Sequence, residues 1–170
     1  MAWGAAVAIA VAACATDIRR RRIPNILTFG GAAAGLVCHR WNHGFSGLPV
    51  GIGGWIAGVA VFLPLFLLRG LGAGDLKLLG ALGTWVGARD VLWVALYTTI
   101  SGGILALLVA ARHRRLRESV RNMGFLLWYW RNVGVKPVPD LTLEQSKGPR
   151  LPYAVPILAG ALVRVWLSAQ

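Results

Sequence analysis

Gly72-Ala73-Gly74-Asp75-Leu76-Lys77 stands between two strongly apolar segments, Val50 to Leu68 and Leu76 to Ala88. An ionised side chain is expensive to hold beside hydrocarbon, and where one persists it marks function by default. The reading of the chain therefore turns on what the flanking segments are. A second acid, Asp17, ends the first apolar segment and is followed by Arg19-Arg20-Arg21-Arg22-Ile23-Pro24-Asn25.

The chain has 170 residues, of which 56% are hydrophobic and 14% charged. That balance is wrong for a soluble globule and right for a polytopic membrane protein, in which each crossing segment must satisfy its own backbone hydrogen bonds. The apolar segments run Ala2 to Thr16, Ile26 to Cys38, Val50 to Leu68, Leu76 to Ala88, Val91 to Ala111 and Tyr153 to Ser168. They predict an all-α polytopic bundle of about six transmembrane helices, forming a single domain over residues 1–170. The second and fourth segments are short against the ~20 residues a span needs. They are expected to be extended by flanking residues, to tilt, or to begin inside the protein.

Basic residues set the orientation. With the N-terminus outside, the cytoplasmic loops are 17–25, 69–77 and 112–150, and they hold 15 of the 18 Lys and Arg residues; Arg40, Arg89 and Arg164 are the exceptions. The positive-inside rule selects that topology and puts Asp17 and Asp75 together at the cytoplasmic boundary. Ala13-Cys14-Ala15 has the look of a cleavage site, but the arginines follow the apolar stretch where a signal peptide carries them in front. The net charge of +12 is spread between apolar spans without forming a continuous soluble face, so anionic lipid headgroups, not nucleic acid, are the expected counter-charge.

The remaining features read plainly. Gly51, Gly54 and Gly58 offer a small-residue face for close helix packing. Gly72 and Gly74 flank the acid at a chain reversal, where permissive backbone angles and close approach are both useful. Residues 112–130 mix Arg114, Arg115, Arg117 and Arg121 with Phe125, Trp128, Tyr129 and Trp130, which suits a helix lying on the cytoplasmic leaflet. Residues 135–152 carry four prolines and read as an irregular connector. His39 and His43 sit in a predicted outer loop with no acidic or thiolate ligand nearby, and Asp90 is expected to pair with the adjacent Arg89. Cys14 and Cys38 have no metal-binding spacing, so no metal site is expected.

Two carboxylates suffice for peptide hydrolysis without metal or covalent nucleophile: one takes a proton from water while the other, protonated, polarises the carbonyl. Like charges at close range do not both ionise cheaply, and Arg19 to Arg22 and Lys77 work against that repulsion.

Asp17 to Asn25 together with Gly72-Ala73-Gly74-Asp75-Leu76-Lys77-Leu78-Leu79 resembles the paired signature of type IV prepilin peptidases, membrane aspartic proteases with a G-x-G-D motif. The resemblance covers roughly residues 5–110, and Leu151-Pro152-Tyr153-Ala154-Val155-Pro156 adds a weaker match. It implies that Asp17 and Asp75 are the catalytic pair, with Gly72, Gly74, Lys77, Pro24 and Asn25 in support. Its implied substrate is the leader of a prepilin or pseudopilin, cut at the cytoplasmic face of the bacterial inner membrane without a cofactor. Pro24 and Asn25 are expected to shape the start of the second helix, and Lys77 to point away from Asp75, giving electrostatic support or contacting lipid. Longer members of that family also methylate the new N-terminus and carry an extra cytoplasmic domain, often with paired C-x-x-C motifs. Here only a basic turn separates the first two segments, so the chain is similar to the short peptidases of tight-adherence (Flp-type) pilus systems and methyl transfer is not expected. Two other classes compete, a small proton- or cation-coupled transporter and a non-catalytic subunit of a pilus or secretion assembly. A transporter would favour internal repeats and acids near mid-span; a non-catalytic subunit has no need of both acids.

Overall fold

The computed structural model describes residues 2–114, 116–134 and 152–170. They form α1 (Ala2–Arg20), α2 (Asn25–His43), a 3-10 turn (Gly44–Gly47), α3 (Leu48–Leu67), α4 (Ala73–Arg112), α5 (Leu116–Val133) and α6 (Ala154–Ser168). The described residues contain no strand, so the fold is all-α. Three helical stretches, Ala2–Arg20, Asn25–Leu67 and Ala73–Arg112, are long and apolar enough to cross a membrane; α6 is apolar but shorter, at 15 residues. The connector expected over 135–152 lies outside the described residues, Pro152 apart.

Two of the long stretches are broken. The 3-10 turn separates α2 from α3, and α4 is interrupted at Gly87, whose φ of 81° and ψ of 171° suit a residue without Cβ. The second helix is longer than its apolar segment suggests, running 19 residues to His43. His39 and His43 consequently lie in the last turns of α2, not in a loop, with ring centroids 6.2 Å apart.

Contacts between the helices give their directions. Along α3, Gly51 faces Thr84, Gly54 faces Gly83, and Gly58 faces Leu79 and Gly80, so α3 runs antiparallel to the first limb of α4, residues 73–86. Along α6, Arg164 pairs with Asp90, Gly160 packs on Thr98, and the Tyr153 ring covers Gly102, so α6 runs antiparallel to the second limb, residues 88–112. The Trp85 Nε1–H donates to Gly31 O at 2.9 Å, and Lys77 reaches Asn25, which sets α2 parallel to the first limb. Phe62, near the end of α3, meets the Tyr153 ring edge-on with centroids 6.2 Å apart. The chain thus turns back at Gly87, and one end of the bundle gathers Asp17, Asn25, Asp75, Gly102 and Tyr153.

Small residues make this packing. A Cβ on Gly54 would fall on the Gly83 carbonyl, and one on Gly58 would lie 2.6 Å from Leu79 O. Helices in lipid gain little from hiding apolar area from one another, and close backbone approach supplies the dispersion contacts instead. The glycines at 51, 54 and 58 therefore have the packing role their spacing suggests. Asp90 does not pair with Arg89. Its Oδ1 accepts from Arg164 Nη2 at 2.6 Å and Nε at 3.1 Å, because neighbours in a helix project in different directions whereas antiparallel α6 brings Arg164 alongside.

The helix expected over residues 112–130 is found as α5, displaced a few residues along the chain. Leu116, Val120, Met123, Phe125 and Trp128 on it are exposed.

Candidate active site

Asp17 faces inward because of the residues that precede it. Ala6, Ala10 and Ala13 are each at most 1% exposed, and their spacing of four and three, extended by four more, brings Asp17 onto the same face of α1. Asp17 is itself buried. Just beyond it, Arg21 takes a left-handed backbone (φ 51°) and donates its N–H to Asp17 O at 2.8 Å, which ends the helix.

Asp75 is in the first turn of α4, a place where the helix dipole favours an acid. Leu78, Leu79 and Leu82, three, four and seven residues on, are fully buried, so Asp75 lies on the limb's core-facing side. The two glycines of the motif act by close approach and not by unusual backbone angles. Gly72, the residue before the helix, has an ordinary extended conformation (φ −76°, ψ 147°). A Cβ on Gly72 would sit 3.0 Å from Asp75 Oδ2, and one on Gly74 would sit 3.3 Å from the Ile23 Cβ. Each glycine leaves room for one neighbour: the carboxylate in one case, the turn after α1 in the other.

Asp17 and Asp75 line one cavity of about 250 Å³ together with Arg21, Arg22, Ile23, Gly72 and Gly74. Residues 58 positions apart are brought to one space, and a cavity of this size admits several water molecules. Two carboxyls so placed are able to divide acid and base roles between them.

The supporting residues hold the two motifs together. Pro24 is the residue before α2, one position earlier than a first-turn proline, and its carbonyl accepts from Leu27 N at 3.0 Å. Asn25 opens the helix, but its side chain reaches across the site: Oδ1 accepts from Lys77 Nζ at 3.2 Å, and Lys77 lies 5.0 Å from the centre of the Phe29 ring. Lys77 thus links the two motifs. A third contribution went unseen in the sequence. Oδ2 of Asp17 accepts the backbone N–H of Ala154, the first residue of α6, at 3.3 Å. Among the described residues no group of three His, Cys, Asp or Glu side chains could hold a metal ion.

The chain is 33% identical over 130 residues to a prepilin leader peptidase/N-methyltransferase of Burkholderia pseudomallei, an alignment covering 72% of this chain and 41% of that one. It is 27% identical over 135 residues to a protein of the same name from Xanthomonas campestris pv. campestris, covering 72% and 47%. The chain spans less than half the length of these relatives. No solved structure matches it. The model of the type IV leader peptidase family matches residues 5–107, a range that takes in both acids and every contact between the two motifs, and to that family this chain belongs.

Proposed function

We propose that the protein is a membrane aspartic endopeptidase that removes the N-terminal leader of prepilins or pseudopilins at the cytoplasmic face, with Asp17 and Asp75 as its catalytic pair. The observation that carries this reading is the shared cavity of the two acids. One carboxylate takes a proton from water as the water oxygen attacks the scissile carbonyl carbon. The other carboxyl, protonated, donates to the carbonyl oxygen. As the C–N bond breaks, the proton taken from water passes to the leaving amine, and a hydroxyl of the gem-diol returns its proton to the other carboxylate as the carbonyl re-forms, so the pair regains its starting state.

The same reading extends to topology. Counting the breaks at the 3-10 turn and at Gly87, the helices suit six crossings, α1, α2, α3, the two limbs of α4, and α6, with the N-terminus outside. Positive-inside bias supports that orientation, and the exposed apolar and aromatic side chains of α5 suit a helix lying on an anionic leaflet of the bacterial inner membrane. Relatives named for two activities leave the second to be tested here. The acid pair accounts for the peptidase, and we expect methyl transfer to be missing; the mass of the cleaved pilin N-terminus reports it directly.

The deciding experiment is processing of a co-expressed prepilin by the parent and by Asp17→Asn and Asp75→Asn. Each variant loses one half of an acid/base device and is expected to retain only trace cleavage while inserting normally. Near-parental processing by either variant removes that residue from the mechanism. Absence of processing by the parent against a panel of prepilins would favour the transporter or assembly readings instead.

A further inference from the structure

We propose that the first turn of α6 is a third component of the site, with the Ala154 amide positioning Asp17 for reaction. This rests on the peptidase reading for its consequence, but not for its geometry.

The proposal follows from an account of the orphan donors at the start of α6. A helix leaves its first few N–H groups without intrahelical partners. Here Val155 N–H goes to Pro152 O at 3.1 Å and Ile157 N–H to Tyr153 O at 3.3 Å. Pro156 has no N–H at all. The Ala154 amide is the remaining donor, and Ala154 is wholly buried, so a partner is needed. That partner is Asp17 Oδ2, at 3.3 Å and 137 positions away in sequence. Tyr153, directly before it, makes no side-chain cap that would compete.

The donor is also held firmly. Phe62 of α3 meets Tyr153 edge-on, Tyr153 covers Gly102 of α4, and Ser101 Oγ shares its one proton between Thr98 O at 3.1 Å and Pro156 O at 3.2 Å. Three contacts from two other helices therefore fix where the amide points. A carboxylate has two oxygens, and engaging Oδ2 fixes the ring of positions left to Oδ1, which is the oxygen then free to meet water in the cavity shared with Asp75. Fixing a reacting group in this way acts on the reaction step more than on substrate binding.

Two measurements test it on the full chain in detergent micelles. The sequence holds a single Tyr-Ala pair, since Tyr97 precedes Thr98 and Tyr129 precedes Trp130. Labelling Tyr with carbonyl 13C and Ala with 15N therefore lights one amide, that of Ala154. Its proton is expected to move upfield in Asp17→Ala, and by more than in Asp75→Ala; an equal or smaller movement overturns the proposal. The second measurement replaces Ala154 by lactic acid, which turns the amide into an ester, deleting the N–H and weakening the Tyr153 carbonyl that accepts from Ile157; the matching hydroxy acid at Val155, which likewise deletes one N–H and weakens one carbonyl within the turn, is the control. We expect kcat for prepilin cleavage to fall about 10- to 100-fold at 154 with KM unchanged, and little change at 155. Parental kcat at 154, or an equal loss at both positions, overturns the positioning role. Should the 154 ester fail to fold, the amide shift alone decides. A parent that cleaves no prepilin defeats the peptidase reading and leaves the amide shift as an independent result.

Discussion

Gly54→Ala tests whether helix packing sets the position of Asp75. The added Cβ would lie 2.6 Å from the carbonyl carbon of Gly83 and 3.0 Å from the Gly87 Cα, whereas ordinary contact begins at 3.4 Å. Backbone atoms have no rotamer to escape into, so α3 and the first limb of α4 must separate by more than the 0.8 Å that the carbonyl carbon alone requires (3.4 less 2.6), because the Gly83 carbonyl oxygen stands closer still. Forcing a methyl into a filled interface costs about 1–3 kcal/mol, and the gain in helix propensity returns about 1 kcal/mol of that. Net destabilisation of up to about 2 kcal/mol is expected. The larger effect is on catalysis, because Asp75 rides on the displaced limb and a misplacement of about 1 Å is able to cost on the order of 100-fold in rate. Gly53→Ala is the matched control: nothing lies within 4 Å of its Cβ position. Both variants are assayed for prepilin cleavage in proteoliposomes and for thermal unfolding in detergent. Parental activity and unfolding midpoint in Gly54→Ala would refute the idea that this glycine contact places the acid.

The remaining predictions concern charge. Cleavage is expected to follow a bell-shaped pH profile: at low pH both carboxyls are protonated and no base remains, at high pH both are ionised and no acid remains, and the two limbs report the pair jointly. A profile with a single limb would point to one titrating acid. Arg164→Gln leaves Asp90 without its partner at a site where both side chains are about a quarter exposed (21% and 26%). It is expected to cost about 1–2 kcal/mol in detergent unfolding, partly recovered in the double variant with Asp90→Asn. Lys77→Met and Asn25→Ala should be less than additive in cleavage, with a coupling of about 0.5–1 kcal/mol, since each removes one end of the same bond; full additivity would separate the two residues. An impermeant thiol reagent applied outside should label Cys38 in preference to the buried Cys14, and labelling of Cys14 alone would overturn the orientation.

Local pattern carried much of this into view from the sequence. The six apolar segments correspond to helices because period and length are properties of a segment taken alone, and the break at Gly87 falls where a segment ends. The inward turn of Asp17 is written in the alanines before it. What stayed hidden depends on residues far apart in the chain: Lys77 with Asn25, separated by 52 positions, Arg164 with Asp90, by 74, and Ala154 with Asp17, by 137. A motif shows that two acids belong together, whereas the identity of their other neighbours waits on the directions in which the helices run. The histidines at 39 and 43 misled for a related reason. Polar residues at the end of a span look like a loop, although the helix continues past the apolar segment.

The glycines and alanines between the helices have an evolutionary consequence. In a soluble protein the interior is populated by bulky apolar residues, and truncating them is what selection removes. Here Gly54, Gly58, Gly83, Ala6, Ala10 and Ala13 are inside, while Trp41, Trp93 and Trp166 are exposed. A saturation library selected for the proposed leader cleavage should therefore be purged of enlargements at the small interior positions and remain permissive at the outward tryptophans, so that tolerance maps drawn from soluble enzymes would rank these sites in reverse.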